Sequence, residues 1–154
     1  MKLNVDGSFD PLLERGGIGM VLRNDSGNVI FSSCRAIGRC SGELEAKLCA
    51  IAEGVVLAIQ WTLLPLIVET DCLEAIQLIQ SKAGDLSAHA YVIREIKYLL
   101  SDQRAFVVKK IHRSQNWVSH ALTNKARSEN VSDFWLEGSC NFISQIICDD
   151  AKFE

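Results

Sequence analysis

The spacing of hydrophobic residues differs between the first part of the chain and the rest. Leu3 and Val5 begin a short strand, and a run of glycines and apolar residues over 16–22 predicts a second, well-buried strand. Residues 24–27 read Asn-Asp-Ser-Gly, which is typical of a turn, and a third strand follows over 28–36. Because the linker is short, the second and third strands should form an antiparallel hairpin.

Helical spacing begins at Glu43 and continues to about Trp61, with apolar residues at steps of three and four. Pro65 then blocks continuation of the helix. Beyond it the pattern predicts strands over 66–68 and 106–111 and helices over 72–81, 86–100 and 116–128. Asp71, followed three residues later by Glu74, resembles a capping box for the first of these helices. The order of elements predicts an α/β fold, a mixed sheet with helices on its faces.

The last predicted helix contains a histidine in an unexpected place. Asn116 can cap this helix, since its side-chain carbonyl can accept a hydrogen bond from a first-turn N–H. On a helical wheel, the apolar face holds Trp117, Val118, Ala121, Leu122 and Ala126. His120 falls on the other side, so it is either a solvated surface residue or part of a site that needs a polar group.

Length and composition indicate one globular domain with a real core. We expect that domain over residues 1–130, and an appendage over 131–154 that packs on it or is partly flexible. The chain has no apolar run long enough to span a membrane and no signal-peptide pattern at its start, so we expect an intracellular protein, nuclear or cytoplasmic, and no membrane partner. The six cysteines show no zinc-type spacing and are expected to be reduced and non-catalytic.

The formal net charge of −3 argues weakly against a tight, non-specific nucleic-acid binder, which is usually basic. Local basic residues can still contact phosphate.

Three acidic residues lie near the ends of predicted elements. Asp6 follows Val5 in the first strand, Glu43 opens the long helix, and Asp71 ends the fourth strand. Dispersed carboxylates held by rigid elements can bind hard divalent cations such as Mg²⁺, and a pair of such ions supports phosphoryl transfer. The alternative is that each acid has a local role. Asp71 would cap a helix, Glu43 would interact favourably with the dipole at the start of its helix, and Asp6 would begin a turn.

Five segments, taken together, resemble ribonuclease H-like domains, and most closely the plant reverse-transcriptase-related group of type 1 ribonucleases H. They are NVDGS at 4–8, GGIGMVLRNDSGNVI at 16–30, GELEAKLCAIAEG at 42–54, IVETDCLEAIQLI at 67–79 and HRSQNWVSHALTNKAR at 112–127. The resemblance runs from about Leu3 to Arg127, in the same order. It implies a mixed five-stranded sheet, with three antiparallel strands first and parallel strands after, flanked by helices.

The resemblance also implies an activity and a site. Members of the family cut the RNA strand of RNA/DNA hybrids with two Mg²⁺ ions, for which Mn²⁺ can substitute, bound by an Asp-Glu-Asp-Asp set. Matched by motif, Asp6, Glu43 rather than Glu45, and Asp71 take the first three positions. His120, four residues after Asn116, takes the fourth. Imidazole suits Mn²⁺ better than Mg²⁺, so we expect weaker metal binding with some preference for Mn²⁺.

Substrate contacts are expected from residues that flank the acids. These are the backbone at Gly7, Ser8 and Gly42, with Arg113 and Asn116 beside the histidine. The flexible histidine-bearing loop and the basic protrusion of some relatives are absent here, which predicts weaker hybrid binding. The alternative function is a weak or inactive ribonuclease H-like domain that binds nucleic acid or another protein. We expect a monomer or a domain of a larger protein.

Overall fold

A six-stranded mixed sheet forms the centre of the computed structural model, which describes residues 1–84, 87–102, 104–138 and 140–150. The strands are β1 (Lys2–Asp10), β2 (Arg15–Arg23), β3 (Val29–Ile37), β4 (Leu66–Thr70), β5 (Phe106–Lys110) and β6 (Asp133–Leu136). Their order across the sheet is β5-β4-β1-β2-β3-β6. β1, β2 and β3 pair antiparallel, whereas β1–β4 and β4–β5 are parallel pairs. The predicted mixed sheet is confirmed.

The helices follow the predicted order. They are α1 (Glu43–Trp61), α2 (Leu73–Gln80), α3 (Ala90–Leu100), α4 (Trp117–Glu129) and α5 (Asn141–Asp150), with a 3₁₀ turn at Arg113–Gln115. α1 has the predicted bounds. α3 begins later than predicted, and positions 85 and 86, near its predicted start, lie outside the described residues. None of the helices in the described ranges has the length and apolarity to cross a membrane.

The sheet has one strand more than the five expected. β6 pairs antiparallel with β3, so that Phe31 lies opposite Leu136. Phe134 of β6 also stacks on the Phe31 ring, with 5.4 Å between the ring centroids. The strand was missed because it is short and lies at an edge, where Phe134 and Leu136 are about half exposed and no clear apolar alternation marks it.

Apolar side chains pack on both faces of the sheet. The cluster on one face includes Val5, Met20 and Leu48 and lies between the sheet and the helices α1 and α3. The cluster on the other face includes Val21, Leu122 and Ile143 and lies between the sheet and the helices α4 and α5. Successive residues of a strand point to opposite faces. Both Met20 and Val21 are therefore buried, which explains the nearly continuous apolar pattern of β2.

Two glycines allow the helices to approach the sheet closely. A Cβ added at Gly7 of β1 would lie 2.3 Å from the backbone carbon of Ala46 in α1. A Cβ at Gly19 of β2 would lie 2.4 Å from the carbonyl oxygen of Ser119 in α4. Only a residue without a side chain fits at these positions, and the close approach brings the starts of α1 and α4 next to β1.

Replacing Gly19 by alanine should therefore destabilise the fold by about 1–3 kcal/mol, because either α4 or β2 has to move. Gly38→Ala is the matched control, since no heavy atom lies within 4 Å of a Cβ built there. Urea unfolding followed by circular dichroism measures both free energies of unfolding. Equal stabilities of the two variants would contradict the close-packing role of Gly19.

Candidate active site

Asp6 in β1 lies beside Asp71 at the end of the neighbouring parallel strand β4. Asn4 of β1 is paired with Glu69 of β4, and two residues further along each strand come Asp6 and Asp71. Asp71 follows the last residue of β4 directly. The sequence predicts Asp71 as the cap of α2, but the N-cap is Cys72. The Cys72 Sγ accepts a hydrogen bond from the Ala75 N–H. The Asp71 carboxylate is therefore free to face Asp6.

A lysine lies between the two carboxylates. Lys47 Nζ, from the second turn of α1, is 2.7 Å from Asp6 Oδ1 and 2.8 Å from Asp71 Oδ1. Glu43, one turn earlier on α1, has its Oε1 3.8 Å from the same nitrogen, but its side chain is 69% exposed. Three of the predicted acids thus surround one ammonium group, and Glu45 instead accepts hydrogen bonds from Ser41.

Sequence reasoning did not identify Lys47 as a site residue. The one available signal is a lysine inside an otherwise apolar stretch, between Ala46 and Leu48, both of which are fully buried. A lysine at such a position needs an acidic partner. Glu43 four residues earlier would have been the obvious one, but the short contacts are to Asp6 and Asp71, which only the tertiary structure brings near.

The Asp6 carboxylate is almost completely buried, at 1% exposure. Burial alone would raise the pKa of Asp6, but the hydrogen bond from His120 and the charge of Lys47 outweigh it and hold that pKa below its usual value. For Lys47, burial opposes the charged form, and the attraction of Asp6 and Asp71 raises the pKa of its ammonium nonetheless. Both groups therefore stay charged at neutral pH.

His120 is the second partner of Asp6. Its Nδ1 lies 2.8 Å from Asp6 Oδ2, and its side chain is 16% exposed. On the other side of the ring, Nε2 lies 3.3 Å from Arg113 Nη2 and 3.1 Å from Asn124 Nδ2. A guanidinium can only donate, so Nε2 is the acceptor and Nδ1 carries the hydrogen that is donated to Asp6. His120 is therefore neither a free surface residue nor an open ligand.

Asn116 positions His120. Its side-chain amide donates to the Val5 carbonyl of β1 at 2.9 Å, and its Oδ1 accepts from the Ser119 hydroxyl. The expected bond from its side chain to a first-turn N–H is not formed. Asn116 is 1% exposed. Its side chain ties the start of α4 to the strand that carries Asp6.

The other residues predicted to contact substrate do not share one environment. The Gly7 N–H donates to Asp6 Oδ1 at 2.9 Å, so it supports the acid. Ser8 and the exposed Arg113 line the cleft beside Asp6. Gly42 precedes α1, and no heavy atom lies within 4 Å of a Cβ built on it.

The five cysteines whose side chains the structure describes are free of disulfides; they are Cys34, Cys40, Cys49, Cys72 and Cys140. Burial raises the pKa of the Cys49 thiol to about 11. Its thiol form predominates at neutral pH.

Lys47 separates two clefts of opposite charge. The cleft on the Asp6 side, of about 380 Å³, is lined by Asp6 and Glu43 but also by the cations Lys47, Arg113 and Arg127. The cleft on the Asp71 side, of about 370 Å³, is lined by Glu43, Asp71 and Glu74 with Lys47 as its only cation. The first suits an anionic phosphate, and the second suits a cation.

The carboxylates around Lys47 suit a hard divalent cation by their chemistry, because carboxylate oxygens are ligands that Mg²⁺ and Mn²⁺ prefer. As these side chains are placed, the described residues contain no group of three acidic, histidine or cysteine side chains able to hold a metal, and the Lys47 ammonium lies between Asp6 and Asp71. A second ion beside His120 does not fit this arrangement, since Nδ1 is bonded to Asp6 and a guanidinium faces Nε2.

The hydrogen-bond pattern predicts opposite tautomers for two histidines. Neutral His120 should carry its hydrogen on Nδ1, as argued above. His112 Nδ1 accepts from the Ser114 N–H, so its hydrogen should lie on Nε2. Long-range ¹H–¹⁵N correlation spectra at a pH where imidazole is neutral distinguish the two forms. An Nε2–H tautomer at His120 would contradict the bond to Asp6 that organises the site.

Comparison with solved structures supports the same fold. Ribonuclease H1 from the halophilic archaeon Halobacterium salinarum is similar with a TM-score of 0.75 and 17% identity, over 81% of this chain and 95% of that one. The N-terminal ribonuclease H domain of a Mycobacterium tuberculosis protein gives 0.73 and 16%, over 97% and 96%. LC11 ribonuclease H1, from a compost metagenome, in complex with an RNA/DNA hybrid gives 0.72 and 18%, over 84% and 97%.

Sequence comparison gives the family. No curated protein sequence is significantly similar to the chain. The family model described as reverse transcriptase-like matches residues 4–126, which include Asp6, Glu43, Lys47, Asp71 and His120. The chain belongs to the reverse transcriptase-like family and has a ribonuclease H-like fold.

Proposed function

We propose that this protein is a divalent-metal-dependent endonuclease that hydrolyses the RNA strand of RNA/DNA hybrids, with low activity. The observation that carries the proposal is the convergence of Asp6, Asp71 and Glu43 on one cationic group in a ribonuclease H-like fold. The similarity to a ribonuclease H1 that was solved with an RNA/DNA hybrid supports the choice of substrate.

The charges that line the two clefts suggest which cleft would bind the metal and which would bind the nucleic-acid backbone. Asp71 and Glu43, on the acidic side, with Asp6 between the clefts, would hold the metal. When bound, a divalent cation would activate water and neutralise charge at the scissile phosphate. Arg113 and Arg127 line the other cleft and would hold the phosphate backbone. The two-ion arrangement of the family would require both Lys47 and Arg113 to move.

His120 acts in this scheme as a positioning residue. Its bond to Asp6 Oδ2 leaves Oδ1 directed towards the cation position, where Lys47 now donates to it. Arg113 holds the opposite ring nitrogen. The histidine therefore fixes the orientation of Asp6 without adding a negative charge of its own.

Trp117 provides an exposed aromatic surface beside the site. The sequence placed it on the apolar face of α4, but it is 53% exposed. Its ring centroid lies 5.7 Å from that of His120. An exposed indole at the rim of a basic cleft can stack on a base or a sugar, which would contribute to binding without sequence preference.

The second candidate function is a nucleic-acid-binding domain without catalysis. It is favoured by one observation, that the central carboxylates are already neutralised by Lys47. In this alternative, Arg113, Arg127 and Trp117 bind the hybrid, and the acids only support the fold. The two functions differ in whether the protein cleaves what it binds.

Cleavage of a labelled RNA/DNA hybrid decides between them. We expect slow cleavage by the wild type in Mg²⁺ or Mn²⁺ and at least about a hundredfold less by Asp6→Asn, since removing one electrostatic contact of this kind typically costs that much. Binding of the hybrid should change little. A wild type that binds but does not cut with either ion would exclude the endonuclease and leave the binding domain.

Replacing His120 by aspartate should increase cleavage in Mg²⁺ relative to Mn²⁺, because a neutral imidazole that only positions Asp6 is exchanged for a hard carboxylate that Mg²⁺ binds directly. The ratio of initial rates in the two ions measures this preference, and His112→Asp, outside the cleft, is the control. If the ratio is unchanged for His120→Asp, the identity of this residue does not set the metal preference.

A further inference from the structure

Lys47 is held in a way that differs from an ordinary surface lysine. Its side chain is 11% exposed, and two short contacts and one longer contact join its nitrogen to acids from β1, the end of β4 and the first turn of α1. By contrast, Lys125 of α4 pairs with a single carboxylate, that of the exposed Glu129 at 2.7 Å, and lies over the Phe142 ring. The ammonium of Lys47 thus lies where oxygen atoms from three separate elements meet.

The position of Lys47 gives it two properties at once. It compensates the charge of Asp6 and Asp71, which would otherwise be costly to bury so close together. It is also a flexible four-carbon side chain that lines the open clefts on both sides, so its nitrogen can leave without any movement of the backbone.

We propose that Lys47 is a tethered cation that competes with the divalent metal for Asp6 and Asp71 and thereby sets the metal affinity of the site. This inference deepens the proposed function, on which it rests for the identity of the metal site. A divalent ion cannot share the carboxylate oxygens with an ammonium 2.7–2.8 Å away, so each binding event must displace Lys47. The wild type is therefore a weak metal binder even though its carboxylates are well placed.

The test uses the whole chain, without nucleic acid. Mn²⁺ binding is measured by isothermal titration calorimetry and by electron paramagnetic resonance of the free ion, for the wild type, Lys47→Met and Lys47→Arg. We expect Lys47→Met to bind Mn²⁺ at least about tenfold more tightly, because the competing charge is gone while the length of the side chain is kept. Lys47→Arg keeps the charge and should stay within a fewfold of the wild type. Lys125→Met, which removes a paired lysine elsewhere, should also bind as the wild type does.

Stability gives a second readout that does not depend on catalysis. Without metal, Lys47→Met should melt at a lower temperature than the wild type, since two buried or half-buried carboxylates lose their partner. Saturating Mg²⁺ should raise the melting temperature of Lys47→Met more than that of the wild type, by linkage of binding to folding. A variant too unstable to titrate would still show this difference in thermal shift.

Each outcome separates the inference from the proposed function. Equal Mn²⁺ affinities and equal metal-induced thermal shifts in the wild type and Lys47→Met would overturn the competition. Tighter binding by Lys47→Met, with no hybrid cleavage by either protein, would support the competition and overturn the endonuclease. Tighter binding together with faster cleavage at low Mg²⁺ would support both.

Discussion

The burial of a charged carboxylate, that of Asp6, is the constraint on which the site depends. A buried charge is stable only when hydrogen bonds and opposite charges surround it. Asp6 obtains these from the Gly7 N–H on its own strand, from Lys47 on α1 and from His120 on α4. The helices α1 and α4, which pack on opposite faces of the sheet, must therefore both reach this carboxyl group.

That requirement explains several residues that have no chemistry of their own. Gly7 lets α1 approach β1, and Gly19 lets α4 approach β2, because any side chain at either position would overlap helix backbone. Asn116 then fixes the start of α4 through the Val5 carbonyl, next to Asp6 in sequence. Close packing and one buried hydrogen bond together set the distance between His120 and Asp6.

The sequence predicts the fold well because periodicity depends on local neighbours. Strand alternation and helical spacing locate the sheet and the helices, and the order of the elements limits the topology. The edge strand β6 was missed because three of its four residues are exposed, so that no apolar alternation marks it. The cap positions of α2 and α4 were predicted near the right residues, but with the wrong hydrogen bonds, because tertiary partners compete for the same side chains.

The three acids of the site stand out by their places near the ends of elements, and the family resemblance assigns them to a metal site, whereas the only signal for Lys47 is a lysine inside an apolar stretch. The i,i+4 spacing on α1 suggests Glu43 as the partner of Lys47, whereas in the fold the closest partners of Lys47 are Asp6 of β1 and Asp71 at the end of β4. The net charge of the whole chain does not predict the charge of either cleft. The chain is acidic as a whole, yet the cleft beside Asp6 has more cationic than anionic side chains, and the cleft beside Asp71 has the reverse.

A lysine and a divalent metal satisfy the same carboxylates but do not provide the same chemistry. An ammonium group neutralises charge and donates hydrogen bonds, which is sufficient to keep Asp6 and Asp71 ionised in the fold. It cannot polarise water or phosphate as a Lewis acid does. Under the proposed function, the contact that stabilises this site therefore opposes catalysis, a form of the conflict between stability and activity that is common at active sites. The rate of cleavage then depends on how readily Lys47 gives up its two carboxylates.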